Sequence, residues 1–140
     1  MNRIHLRWAA FGLIALGILA GSRSAVLGAE PSAEQLRQTI RDYIKWHEEK
    51  LGAFTLPDPK QTGKLRTLSL VRVHERVGKT GDYYYSCTDM KDVRTGDELD
   101  LDFDVSDTGK ELKVVAVRIH KDNGKPRYTY DANDNLIPLE

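Results

Sequence analysis

The chain has a single cysteine, Cys87. That excludes an internal disulfide framework and any multi-cysteine zinc or iron–sulfur centre within one chain. It lacks an excess of either charge, with 21 Lys and Arg against 21 Asp and Glu in 140 residues. The balance removes the electrostatic case for nucleic acid as a partner. Internal repeats, low-complexity tracts, a glycine-rich phosphate loop, a serine nucleophile motif and a basic stripe are all missing. What is present is 40% hydrophobic residues, too many for a wholly disordered chain. The length leaves room for one domain rather than two. No pattern calls for a cofactor.

Residues 1–29 differ from everything that follows. Arg3, His5 and Arg7 make a basic start, Trp8 to Ser22 carry no charge, and Gly21, Ser22, Ser24, Ala25, Gly28 and Ala29 supply small residues. Basic, then apolar, then small is the order of a secretory signal peptide. A membrane anchor needs about 20 apolar residues, and the uncharged run is 15. Cleavage after Ala29 fits the pattern, with Ser22 as the alternative. The expected organisation is a signal peptide over 1–29 and one α+β domain over 30–140, secreted or periplasmic, with no stable membrane span after cleavage. Removal of Arg3, Arg7 and Arg23 leaves that domain acidic. It must fold in an oxidising compartment without an internal disulfide.

Ser32 to Leu51 reads as an amphipathic helix. Ala33, Leu36, Ile40, Tyr43, Ile44, His47 and Leu51 share one stripe, and charged residues take the other side. Ser32 with Gln35 forms a capping box, and Gly52 is a stop able to take positive φ. Phe54 to Lys64, with Pro57, Pro59 and Gly63, reads as a loop. Strand-like alternation follows over Leu65–Val77, Tyr83–Met90, Leu99–Val105, Leu112–Lys121 and Lys125–Asp131. The phase change within Leu65–Val77 suggests a bulge or two buried faces. Asn123-Gly124 is a hairpin turn, and Pro126 makes the fifth strand an edge. One N-terminal helix on a curled antiparallel meander of about five strands resembles the cystatin-like and NTF2-like folds in architecture, a likeness that carries no function with it.

A two-residue Thr108-Gly109 loop would set Val105 against Leu112, Phe103 against Val114 and Asp104 against Lys113. Ile119 would then face Tyr128, and Val117 would face Tyr130. This register gives the sheet a second face, away from the helix, that combines Val117, Ile119, Tyr128 and Tyr130 with the carboxylates Asp100 and Asp102. These six are the candidate binding residues. A bulge in the fourth strand, or the tail Leu136–Leu139 folding back, would remove that surface.

The other chemistry is sparse. The row Glu98, Asp100, Asp102, Asp104 puts alternate carboxylates about 7 Å apart in a line, which reads as a solvated strand face rather than a calcium cage. Asp131, Asn133 and Asn135 read as an Asx-rich turn. Cys87 reads first as a small strand side chain, then as an intermolecular cross-link, and last as a nucleophile. No catalytic or metal-ligating set is assigned. The function expected is a non-catalytic binding or interaction module for an unknown protein or small molecule, using the sheet face the helix leaves free. The alternative is a small enzyme with Asp100 or Asp102 beside His120 as an acid–base pair. A homodimer through the fifth strand is a third arrangement.

Overall fold

The computed structural model describes residues 29–139. The expected signal peptide, Ala29 apart, lies outside the described residues. No described helix is long and apolar enough to cross a membrane.

Helix α1 (Ala33–Leu51) precedes every described strand and lies within the chain rather than at its N-terminus. Its start is fixed as the sequence implies. The Ser32 hydroxyl accepts from the Gln35 N–H, and the Gln35 side chain accepts from the Ser32 N–H. Gly52 ends it at φ 85°, a conformation that costs a residue with a Cβ. Leu36, Ile40 and Ile44 are buried on one stripe, while Ala33 and Leu51, expected on it, are exposed at the helix ends.

Eight strands follow: β1 (Phe54–Pro57), β2 (Leu65–Thr80), β3 (Tyr83–Asp92), β4 (Glu98–Asp107), β5 (Leu112–Asp122), β6 (Lys125–Pro126), β7 (Tyr128–Tyr130) and β8 (Leu136–Pro138). The first six form one antiparallel sheet in sequence order, and β7–β8 is a separate hairpin. Helix on sheet makes an α+β fold. The core lies between them: Phe54, Leu68, Met90, Leu99, Leu101, Phe103, Val105 and Ile119 pack against the helical stripe.

Several expectations need correction. The segment read as a loop begins with a strand, because Phe54 alternates with Thr55 and pairs with Leu68. Pro57 is tolerated there since β1 is a sheet edge. The expected fifth strand is two pieces, β6 on the main sheet and β7 on the hairpin. The β4–β5 register also differs. The turn holds four residues rather than two, with Asp107 Oδ1 accepting from the Gly109 N–H at 2.7 Å and Thr108 Oγ1 from the Glu111 N–H at 3.2 Å. Val105 therefore meets Val114, and a bulge at Val115 then sets Phe103 against Val117 and Leu101 against Ile119. Val117 and Ile119 thus belong to the helix side, Ile119 in the core and Val117 packed against it.

One end of the sheet is locked by ions. The Arg66 side chain is 1% exposed and bridges Asp58, Asp92, Asp97 and Asp122. Arg127 joins the cluster with two bonds to Asp58, at 2.7 and 3.0 Å, and one to Asp122 at 2.9 Å. Removing a buried cation strands the carboxylates around it. Arg66→Met is therefore expected to lose about 3–5 kcal/mol of stability, read by denaturant titration. The Arg127 guanidinium also holds Asp58 down to about 2, from an ordinary 3.8. A lowered folded value means the contribution is complete above the ordinary value and disappears as pH falls through the folded one. Stability is expected to drop by about 2 kcal/mol as pH goes from about 4 to about 2. Arg127→Gln should flatten most of that increment in unfolding curves taken across the same range.

Candidate binding site

The face of the sheet opposite α1 is polar. Cross-strand register places Arg72 of β2, Tyr85, Cys87 and Asp89 of β3, Asp100, Asp102 and Asp104 of β4, and Arg118 and Lys121 of β5 on it. Both histidines that join them sit at bulges. His120 is the extra residue between the pairs Asp100–Lys121 and Leu101–Ile119, and His74 lies in the shift between Val73 and Val77. A bulge re-aims a side chain that the regular pleat would point elsewhere. Here both rings turn toward Asp100.

The carboxylates expected in solvent are buried, with Asp100 8%, Asp102 0% and Asp104 7% exposed. Each is held differently. Asp104 forms a two-pronged pair with Arg118, one arm at 2.7 Å. Asp100 Oδ2 lies 3.1 Å from Lys121 Nζ and 3.7 Å from His120 Nδ1. Asp102 has no Lys or Arg within ion-pair distance among the described residues, and His120 Nδ1, at 3.9 Å, is its basic neighbour. Its oxygens accept instead from the Tyr128 hydroxyl at 2.7 Å, the Tyr130 hydroxyl at 2.6 Å and the Cys87 thiol at 2.7 Å.

The hairpin β7–β8 supplies the two tyrosines and covers part of this face. Tyr130 stacks on Tyr85 at 4.6 Å, and Tyr128 on His120 at 4.8 Å. Asp134, in the hairpin turn, accepts from the Tyr85 hydroxyl at 2.9 Å and the Thr80 hydroxyl at 2.6 Å. Burial, reinforced by the Asp102 charge, pushes the Tyr128, Tyr130 and Cys87 protons up, so all three groups remain donors.

The hairpin does not cover everything. A cleft of about 370 Å³ remains, lined by Val71, His74, Asp89, Asp100 and Lys121 among others. Three buried side-chain atoms of the described residues have no hydrogen-bond partner: Thr88 Oγ1, Arg118 Nε and Asp100 Oδ1. Of these residues Asp100 alone lines that cleft. A larger depression of about 600 Å³ beside the start of α1 is lined by no buried residue and gathers no such group.

Of the six residues read from the sequence, Asp100, Asp102, Tyr128 and Tyr130 come together and Val117 and Ile119 do not. Alternation alone finds the carboxylates. It misses Cys87, whose place opposite Asp102 is set by the β3–β4 register. His120, which the acid–base alternative set beside Asp100 or Asp102, does lie there, brought by a bulge that a period-two pattern cannot register. Glu98, the first member of the row, is exposed. Comparison with protein-family models, with curated proteins and with solved structures finds no match. No matched structure supports the analogy to cystatin-like and NTF2-like folds.

Hydrogen bonds to a buried carboxylate are worth more than ordinary ones. Tyr130→Phe and Tyr128→Phe each delete one from Asp102 with almost no change in shape. Each is expected to lower stability by about 1–3 kcal/mol, measured by chemical denaturation with the far-ultraviolet spectrum unchanged.

Proposed function

We propose that the chain is an exported, secreted or periplasmic, non-catalytic binding module whose site is the uncovered part of the polar sheet face beside Asp100. Export is supported by the basic, apolar and small-residue order of residues 1–29. The observation that carries the binding reading is the unpartnered Asp100 Oδ1, buried yet bordering an open cleft. A buried acceptor left without a donor costs free energy that a ligand can recover. Carboxylates at the cleft favour a ligand that is cationic or rich in hydrogen-bond donors. The Cys87 thiol, pushed up by burial and by Asp102, is poorly suited to act as a nucleophile.

The alternative enzyme has one observation in its favour. His120 Nδ1 lies 3.7 Å from Asp100 and 3.9 Å from Asp102, the neighbours an acid–base pair requires. A homodimer through the far edge is less well supported, since β6 offers two paired residues and one is Pro126.

Agmatine, small and dicationic, is a suitable probe. Titrated into isotope-labelled protein, it is expected to shift the amide resonances of Asp89, Asp100 and Lys121 first, and Asp100→Asn should abolish most of that response. An unresponsive cleft in the wild-type chain would remove the reading.

A further inference from the structure

Cys87, Asp100, Asp102 and His120 come from three adjacent strands, and one potential ligand atom from each lies within 4.8 Å of the others. The sulfur, the nitrogen and the oxygens gather in one place, where the Lys or Arg partner among the described residues is Lys121, on Asp100 Oδ2. Two observations set this cluster apart from an ordinary polar patch. Among the described residues, Asp102 is fully buried with no Lys or Arg partner, and Asp100 Oδ1, on a side chain nine-tenths buried, has no hydrogen-bond partner. Both leave buried acceptor capacity that a cation could take up.

From this arrangement we infer that Cys87, Asp100, Asp102 and His120 form a binding site for one divalent transition-metal ion of the zinc class. It rests on the binding reading above and gives that site its ligand.

The geometry is close to what such an ion needs. Tetrahedral zinc with nitrogen at about 2.0 Å and sulfur at about 2.3 Å puts its ligand atoms about 3.3–3.7 Å apart. His120 Nδ1 lies 3.8 Å from Cys87 Sγ, 3.7 Å from Asp100 Oδ2 and 3.9 Å from Asp102 Oδ1. The Cys87 Sγ to Asp102 Oδ1 separation of 2.7 Å must open by roughly 1 Å to reach a tetrahedral edge. The donor set selects the metal. Thiolate and imidazole suit zinc and disfavour calcium and magnesium, which take oxygen ligands.

The charges also close. Binding releases the thiol proton to solvent. Two carboxylates and a thiolate then face a dication and the Lys121 ammonium, which leaves the buried group neutral. Supporting contacts are already in place. Tyr128 and Tyr130 hold Asp102, Lys121 holds Asp100, and Tyr128 fixes the His120 ring by stacking. Of the four, Asp100 lines the open cleft. The neighbouring trio of His74, Asp89 and Asp100 differs, because Asp89 is already engaged by His74 at 2.7 Å and Arg72 at 2.8 Å.

The test uses the full chain as the cell processes it, free of any affinity tag, exposed to zinc or cobalt(II) and separated from free metal. The expected result is one metal per chain, a thiolate-to-cobalt charge-transfer band, and loss of that band in Cys87→Ser. Tyr130→Phe should retain the band and weaken zinc about 10- to 100-fold. Asp100→Asn is the second ligand variant, should Cys87→Ser fold poorly by circular dichroism. It should also lose the metal. A chain that retains no metal overturns the inference, as does one whose cobalt spectrum survives Cys87→Ser. If the metal is absent but agmatine still shifts the Asp100 region, the metal site falls and the binding module stands. If both responses are absent, both fall.

Discussion

The ionic joint at Arg127 governs the second face of the sheet. Asp58, at the end of β1, and Asp122, at the end of β5, both grip this guanidinium. The next residue in the chain is Tyr128. Fixing Arg127 therefore fixes the departure of the hairpin from the sheet, and with it the positions from which Tyr128 and Tyr130 reach Asp102. Arg66 braces the same carboxylates from below the β1 edge. Several charges sharing partners in a buried network hold geometry far more firmly than isolated surface pairs do.

The two faces of the sheet are stabilised by different physics. On the helix side, aliphatic and aromatic side chains are withdrawn from water, and the driving force scales with area. On the other side, the interior is made of carboxylates, tyrosine hydroxyls, arginine and histidine. An apolar filling of similar volume is often at least as stable as buried ionic groups. The polar interior under this cover is therefore weak as a source of stability.

Much of the fold was legible because it depends on local signals. The Ser32–Gln35 capping box, Gly52 and the Leu36–Ile40–Ile44 stripe define α1 to within a residue. Asn123-Gly124, both at positive φ, marks the β5–β6 turn. Strand alternation at Leu99, Leu101, Phe103 and Val105 identified the core row. The face assignment of Val117 and Ile119 failed because each bulge reverses the parity of everything beyond it. Nothing in the residue types at Val115 or His120 announces an extra residue. The buried state of Asp100, Asp102 and Asp104 was likewise invisible, since it depends on a hairpin whose return is set by ion pairs 69 positions apart.

That long separation has a consequence for the order of assembly. The meander from β1 to β5 joins neighbours in sequence, and such contacts form early and at small entropic cost. Tyr128 and Tyr130 come after all of these strands during synthesis. Until the chain has reached Tyr128, the growing sheet lacks the two hydroxyls that cap Asp102.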